Sequence, residues 1–205
     1  MTPEHVTGGQ LEERAEEVHE LYRRCFTEPP WNEQVMQLDE YPEKLATALA
    51  RPDLRAMAVL DGPTLAGLVY GWPAPEELPD EPFYRALAAA VSSVDELLAP
   101  ALDVVELMVN PAYRGRGIGR ALLTGFVRDH RSAWLVTHPE APARGLYERA
   151  GWKTLGAFVN HLGDPRVIYT WSRPDDVQAG RLAENQAVRG GLVVQAELGK
   201  VEQPA

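Results

Sequence analysis

The chain has 205 residues, of which 45% are hydrophobic, a single cysteine, and a formal net charge of −10 at pH 7. This length favours one domain with a substantial core, and the negative charge argues against nucleic acid as a partner, because phosphate binding depends on clustered Lys and Arg. A lone cysteine excludes an internal disulfide, no Cys/His cluster has zinc-site spacing, and no stretch approaches the ~20 apolar residues that span a bilayer. We therefore expect a cytoplasmic protein that holds no metal and binds neither nucleic acid nor membranes.

The first half of the chain is predicted to contain two helices, a hairpin and a third helix. Apolar residues recur at helical spacing over residues 11–25, and the run TEPPWNE ends that helix. Cys25 is interpreted as an ordinary apolar residue of this helix. A second helix is predicted over about 41–50, followed by the strands RAMAVL and TLAGLVYGW, which the turn DGP joins. A proline-rich loop then leads to a helix predicted over residues 83–99.

The second half alternates strands and helices. The strand LDVVELMV precedes a glycine-rich turn, a helix over about 117–130 and the strand AWLVT. The segment ARGLYERAG has helical spacing with Gly151 as its C-terminal cap, and two final strands form a closing hairpin. This pattern predicts an α/β domain over residues 1–173, with a mixed sheet flanked by helices. Residues 174–205 have a weaker pattern and are predicted to be a carboxyl-terminal tail or extension.

Charge is unevenly distributed along the chain. Residues 1–50 hold eleven acidic side chains against four basic ones, whereas residues 110–131 hold five arginines against one acid. The arginine-rich segment suits an anionic ligand, and the acidic segment favours a cationic one. A solvated acidic helix face explains the second observation equally well.

The stretch YRGRGIGRALL has the composition of an anion-binding turn. It follows a strand and opens a helix, whose first N–H groups and dipole attract negative charge. Gly115, Gly117 and Gly119 leave the backbone accessible to a pyrophosphate, and the neighbouring arginines supply countercharge. The nucleoside triphosphate motif GxxxxGK[ST] is absent, and Leu122 stands where a dinucleotide fingerprint needs a small residue.

Two motifs in this order resemble the GNAT superfamily of N-acetyltransferases. Arg114, Gly117 and Gly119 match its Q/R-x-x-G-x-G/A acetyl-CoA loop, and APARGLYERAGW is similar to its A-x-x-L/F-Y-x-x-x-G-F/W segment. Glu140 departs from the asparagine that many members carry three residues before the motif alanine. The resemblance covers roughly residues 55–172 and implies a centrally splayed sheet flanked by helices.

The resemblance also implies how acetyl-CoA is bound. The backbones of Met108 and Val109 would hydrogen-bond the pantetheine arm as a false strand. The pyrophosphate would lie on the loop and the helix start, which comprise Arg114, Gly115, Arg116, Gly117, Ile118, Gly119 and Arg120. Plain core packing for the first pair and solvent exposure for the arginines remain alternatives.

Two residues are candidates for proton transfer. Tyr147 stands where many members have a tyrosine that protonates the departing thiolate. Direct transfer from a phenol of pKa ~10 to a thiolate of pKa ~8.5 is uphill by only ~2 kcal/mol. Glu106 interrupts an otherwise apolar strand and is a candidate general base, although a water chain or a solvent-reaching glutamate fits as well. Strict alternation places Glu106 and Met108 on one face, unless a bulge inverts that.

The sequence thus predicts transfer of the acetyl group of acetyl-CoA to a primary amine, by direct attack in a ternary complex. A cationic acceptor is favoured, and a homodimer is left open. Trp31, Trp72, Phe83 and Tyr84 fall in segments that line the acceptor site in the family, although core packing explains them as well. Two alternatives remain, a non-catalytic acyl-CoA-binding sensor on the same fold and an acyltransferase for longer chains.

Overall fold

The protein was analysed as a computed structural model, which describes residues 1–174. The predicted tail over 174–205 therefore lies outside the described residues, apart from residue 174. The strands are β1 (Glu4–His5), β2 (Arg55–Asp61), β3 (Thr64–Pro73), β4 (Leu102–Val109), β5 (Ser132–Thr137), β6 (Lys153–Val159) and β7 (Pro165–Ser172). The α-helices are α1 (Gly8–Glu12), α2 (Ala15–Phe26), α3 (Val35–Asp39), α4 (Tyr41–Leu49), α5 (Pro82–Ala89), α6 (Ile118–Val127) and α7 (Arg144–Arg149). Short 3₁₀ turns cover Asp95–Leu97 and Pro111–Tyr113.

The strands form one seven-stranded mixed sheet in the order β1-β2-β3-β4-β5-β7-β6. The neighbours from β1 to β4 pair antiparallel, β4 and β5 pair parallel, and β6 and β7 form the predicted antiparallel hairpin. This open α/β sheet with flanking helices confirms the predicted fold class. In the described part of the chain, no helix combines the length and apolar character that a membrane span requires.

Helices cover both faces of the sheet. Helices α1 to α4 bury Leu11, Val18, Leu45 and other apolar side chains against one face of β2, β3 and β4. Helix α6 packs its apolar stripe, which includes Leu122, against the opposite face. The two cores meet at the central strand β4, whose successive side chains alternate between them. Side chains of β4 can therefore contribute to a site on either face of the sheet.

The central strands separate soon after they meet. Parallel pairing between β4 and β5 is recorded at two positions, Leu102 with Ala133 and Asp103 with Trp134. The remainder of β4 pairs with β3 and leaves its other edge facing a gap. A bulge at Val105 accompanies this splay, since Tyr70 pairs with Glu106 while Gly71 pairs with Val104.

Two predicted helices are shorter or more interrupted than expected. The helix predicted over 11–25 is divided between α1 and α2, because Arg14 leaves helical geometry, with a φ of −114° and a ψ of +19°. The helix predicted over 83–99 was wrong beyond Ala89, where the chain reaches two serines and Ser93 Oγ accepts a hydrogen bond from the Asp95 N–H (3.1 Å). The cap at Gly151 is confirmed by its φ of +86°.

Candidate active site

A cavity of about 480 Å³ occupies the region where β4 and β5 diverge. The strand β4 contributes Leu107 and Val109, the end of β5 contributes Thr137, and α7 contributes Tyr147. The glycine-rich turn and the start of α6 form another wall. The cavity is therefore built from the segments that both sequence motifs occupy.

The glycine-rich turn has the geometry of an anion cradle. Gly115 and Gly117 adopt φ values of +77° and +79°, a left-handed conformation that costs other L-residues about 1–2 kcal/mol. Gly117 is the N-cap of α6 and offers no capping side chain, so the first N–H groups of this helix have no intrahelical acceptor. A Cβ at Gly119 would lie 3.0 Å from Leu146 Cδ1. At its glycines the loop thus presents free amides that no side chain covers.

The arginines of the turn differ in placement. Arg114 and Arg120 line the cavity, as do Gly115, Gly117, Ile118 and Gly119. Arg116 instead donates to the Ala112 carbonyl (3.3 Å), and its guanidinium lies 5.0 Å from the centroid of the Tyr113 ring. Two cations therefore face the cavity directly, while the third packs along the turn.

Side-chain hydrogen bonds hold this turn in place. The buried Asn110 accepts a bond from the Ala112 N–H (3.1 Å) and starts the short 3₁₀ turn. Tyr113 Oη donates to Asp61 Oδ2 (3.0 Å), which ties the turn to the β2–β3 hairpin. These two bonds thus fix the position of the loop.

Cys25 packs against the core beneath α1 to α4, as an apolar residue of α2 would, and it also lines the cavity. Its Sγ donates to the Val109 carbonyl (3.5 Å), a group that Arg114 Nε also approaches (3.4 Å). Burial raises the pKa of the Cys25 thiol, although Arg114 acts in the opposite direction. The thiol therefore stays protonated and serves as a weak donor at the end of β4.

Tyr147 contributes a buried phenol to the cavity wall. Its side chain is 5% exposed, lines the cavity and packs against the rings of Trp152 and Tyr169. Burial, and secondarily the Glu106 carboxylate, raise the pKa of Tyr147, while a hydrogen bond with Thr137 opposes them. The phenol is therefore neutral at physiological pH and holds its proton inside the cavity.

Glu106 lies on the opposite face of the sheet from Tyr147. Its cross-strand partner is Tyr70, and that of Met108 is Leu68, so the bulge at Val105 leaves Glu106 and Met108 on one face. That face packs against α2 and α4. Burial raises the pKa of Glu106 to about 8, with a further increase from Glu33 and a decrease from Lys44.

Three tyrosines surround Glu106. The rings of Tyr22 and Tyr41 stack with centroids 3.6 Å apart, and Tyr41 Oη lies 3.4 Å from Tyr70 Oη. Tyr22 Oη reaches both carboxylate oxygens of Glu33, at 3.0 and 2.8 Å. The three tyrosine rings thus lie between the carboxyl group of Glu106, on β4, and that of Glu33, in the loop after α2.

Trp31 connects this loop with the cavity. Its ring lines the cavity, contacts the Phe26 ring edge-on (centroids 5.1 Å apart) and contacts the His138 ring similarly (5.8 Å). The Arg166 guanidinium, from β7, lies 5.4 Å from the Trp31 centroid. The chain after α2, the end of β5 and the start of β7 therefore converge beside the cavity.

The structure groups most, but not all, of the predicted residues around the cavity. Val109, Tyr147 and the turn residues except Arg116 line it, whereas Met108 packs in the core beside α2 and Glu106 lies in the tyrosine cluster. Trp31 lies at the cavity, Trp72 packs against the core beneath α1 to α4, and Phe83 and Tyr84 lie on α5 beside a third core cluster. The sequence reasoning did not identify Thr137, Glu33 or the wall position of Cys25. The contacts of these three residues arise from tertiary packing, which sequence spacing does not reveal. The one signal in the sequence was the acidic segment that contains Glu33.

Comparison with known proteins agrees with this geometry. A profile of the Acetyltransferase (GNAT) family matches residues 15–152, so the chain belongs to that family. No curated protein matches the sequence.

Solved structures share the fold at low identity. An acetyltransferase from Thermus thermophilus is 18% identical with a TM-score of 0.57, covering 84% of this chain and 98% of that one. The PaiA N-acetyltransferase from Thermoplasma acidophilum, in complex with coenzyme A, is 15% identical with a TM-score of 0.54, covering 84% and 100%. An aminoglycoside 6'-N-acetyltransferase complexed with coenzyme A is 14% identical with a TM-score of 0.56, covering 85% and 99%.

The family and its coenzyme A complexes support an acyl-CoA cosubstrate and acyl transfer. The residues present fit such a ligand. The first amides of α6 and two arginines face the cavity, and the three glycines of the turn leave its backbone uncovered there. Within residues 1–174, no group of three or more His, Cys, Asp and Glu side chains is arranged to hold a metal ion.

Proposed function

We propose that the protein is an N-acetyltransferase that transfers the acetyl group of acetyl-CoA directly to a primary amine. The observation that carries this proposal is the cavity between the splayed strands, with the anion cradle at one end and the Tyr147 phenol in its wall. Arg114 to Arg120 would hold the pyrophosphate, and the free edge of β4 at Met108 and Val109 would hold the pantetheine arm. Because the cosubstrate is intracellular, the proposed site of action is the cytoplasm.

The two proton-transfer groups suit a ternary complex. Tyr147 approaches the gap from the α6 face, and Glu106 from the face covered by α2 and α4. An amine entering beside Glu106 would attack the thioester carbonyl, form the C–N bond and release the thiolate towards Tyr147. Glu106, or a water between them, takes the amine proton, and Tyr147 protonates sulfur.

The raised pKa of Glu106 suits the task of a base. An alkylammonium has a pKa near 10.4, so a carboxylate of ordinary pKa would accept its proton at a cost of about 8 kcal/mol. With a pKa of about 8 the mismatch falls to roughly 3 kcal/mol. The free carboxylate forms as the pH rises through about 8, so activity should rise across that range.

The acceptor is proposed to be cationic. Glu28 and Trp31 line the cavity, and Glu33 lies in the same loop. Carboxylates and an aromatic face attract ammonium groups. Diamines, aminoglycosides and peptide amino termini all carry such groups.

Two measurements test the function. Calorimetric titration with acetyl-CoA should show binding that loop variants weaken. Release of free thiol from acetyl-CoA should then be measured across amines that include 1,4-diaminobutane, spermidine, kanamycin and a short peptide. Binding without thiol release for any of them would identify a non-catalytic sensor, and faster turnover with longer acyl-CoA esters would identify a long-chain acyltransferase.

A further inference from the structure

Glu33 takes no part in the proton transfers proposed above, yet hydrogen bonds fix the position of both its backbone and its carboxylate. It belongs to the irregular loop between α2 and α3, where its backbone N–H donates to the Phe26 carbonyl (3.0 Å). Its two carboxylate oxygens accept from a single buried hydroxyl, Tyr22 Oη, at 3.0 and 2.8 Å. No Lys or Arg of residues 1–174 lies within 4 Å of it as an ion pair, in contrast to several surface carboxylates. Its charge is therefore oriented but not neutralised by direct contact.

The tyrosine layer links this charge to Glu106. Tyr22 is 5% exposed and stacks on Tyr41 at an interplanar angle of 14°. Tyr41 Oη lies 3.4 Å from Tyr70 Oη, and Tyr70 is the cross-strand partner of Glu106. Because these rings are buried, they exclude the water that would otherwise screen the two carboxylates from each other.

We propose that Glu33 is a positioning residue for acyl transfer, whose carboxylate, fixed by Tyr22, strengthens Glu106 as the base that removes the proton from the acceptor amine. The inference rests on the proposed function. Glu33 acts through the electrostatic field at Glu106, because a second negative charge makes it harder for Glu106 to lose its proton. Glu33 itself need not touch the substrate.

Other groups face Glu106 and set the background for this effect. Lys44 on α4 opposes Glu33, and burial of the carboxyl group contributes more than either charge. The ionisable groups around Glu106 are Tyr22 and Cys25 on α2, Tyr41 and Lys44 on α4, Tyr70 on β3, Glu33 in the loop and Tyr147 on α7. Burial raises the pKa of each of these tyrosines, so they stay neutral in the working pH range. Burial raises the pKa of Glu33 itself, while the Tyr22 hydrogen bond, Lys44 and Arg166 lower it. Once ionised, Glu33 acts on Glu106 with the opposite sign to Lys44.

The direct test is a titration of the Glu106 carboxyl group in the full chain. Glutamate labelled with ¹³C at the carboxyl carbon allows its NMR shift to be followed from pH 5 to 10, and the Glu106→Gln variant assigns the resonance. In Glu33→Gln, which still accepts the Tyr22 hydrogen bond, the midpoint should move to lower pH by about half a unit or more. In Lys44→Gln it should move to higher pH, and in the control Glu43→Gln, which removes an exposed charge on α4, it should stay unchanged. An unchanged midpoint in Glu33→Gln overturns the proposal.

The kinetic test uses the same variants with 1,4-diaminobutane, or with the amine of the panel that turns over fastest. The acid limb of kcat/KM against pH should move in the same directions as the NMR midpoints. Ionisation of the acceptor affects all variants equally. A difference in the midpoint of the acid limb between variants therefore reflects ionisation of a group in the protein. Tyr22→Phe keeps the ring stack but releases Glu33, and its limb should lie between those of wild type and Glu33→Gln.

The outcomes separate failure of this inference from failure of the function. An active wild type whose acid limb is the same in Glu33→Gln disproves the positioning role alone. Ionisation of the acceptor leaves an acid limb in every variant, so the decisive comparison is its midpoint. A midpoint that is the same in Glu106→Gln as in wild type shows that another group is the base and also disproves the positioning role. No thiol release with any amine removes the proposed function, and the positioning role with it, whatever the NMR midpoints show.

Discussion

Replacement of Tyr147 by Phe tests the proposed mechanism at a single atom. The ring is 5% exposed and packed between Trp152 and Tyr169, so phenylalanine fills the same space. The variant loses only the hydroxyl, which Thr137 contacts and whose pKa burial raises. Leaving the buried Thr137 without this partner should cost about 1 kcal/mol, or a fall of about 2–4 °C in the thermal midpoint.

The expected loss in turnover is much larger than the loss in stability. A positioned general acid contributes about 10²–10⁴-fold, so kcat should fall by at least ~10²-fold. The dissociation constant of acetyl-CoA should change by less than about threefold, because in the proposed complex the hydroxyl would lie at the thiol end and not at the cradle for the pyrophosphate. Because the phenol keeps its proton at neutral pH, the deficit should be the same from pH 6 to 9.

Thiol release in steady state and calorimetric titration provide the two readouts. Tyr169→Phe is the matched control, since it removes a fully buried hydroxyl in contact with the same ring without changing the cavity wall. It should retain turnover while losing the bonds to Arg144 and Glu148. A Tyr147→Phe variant with kcat within threefold of wild type would refute the assignment of Tyr147 as the acid.

Three further predictions concern the cradle and the two carboxyl groups of β4 whose pKa is raised. Gly117→Ala should melt about 2–4 °C lower than wild type and bind acetyl-CoA more weakly, because alanine is strained at a φ of +79°. Calorimetry measures both effects. The control is Gly9→Ala, where the φ is not left-handed and no atom would lie within 4 Å of the new Cβ. Arg120→Ala should weaken acetyl-CoA binding about 10- to 100-fold and reduce its dependence on salt; equal affinity at 50 and 500 mM salt in wild type would contradict this. Burial raises the pKa values of Asp103 and Glu106 to about 8, so between about pH 4.5 and 8 the folded chain holds protons that the unfolded chain has released. The free energy of unfolding should therefore fall by about 1 kcal/mol per pH unit for each group as the pH rises through that window, and level off above it; thermal scans of wild type and Asp103→Asn should show a shallower slope in the variant.

The sequence predicted the features that local chemistry determines. Glycines with countercharge at a helix start define an anion cradle, and the positive φ values of Gly115 and Gly117 show why those positions carry glycine. The two hairpins and the cap at Gly151 were predicted for the same reason, since turn residues encode them within a few positions.

The features that it did not predict arise from contacts between distant segments. Cys25 was interpreted as ordinary helix packing, but its Sγ meets a carbonyl 84 residues away. The positions of Tyr22, Tyr41 and Tyr70 in the sequence do not predict that they form one cluster. Each lies on the apolar side of its own helix or strand, where ordinary core packing is expected. Residues 90–94 illustrate the opposite limit, where helical spacing continued but local serine contacts ended α5 early.

The short contact between β4 and β5 has a consequence for how the protein persists in a cell. Because β4 and β5 pair at two positions, few hydrogen bonds connect the β1–β4 part of the sheet with the β5–β7 part. A ligand bound in the gap would add contacts between these two parts. At a ligand concentration one hundred times its dissociation constant, such binding would add about 2.7 kcal/mol to the free energy of unfolding. The fraction of the protein that is unfolded, and so open to proteolysis, would then fall as the ligand concentration rises.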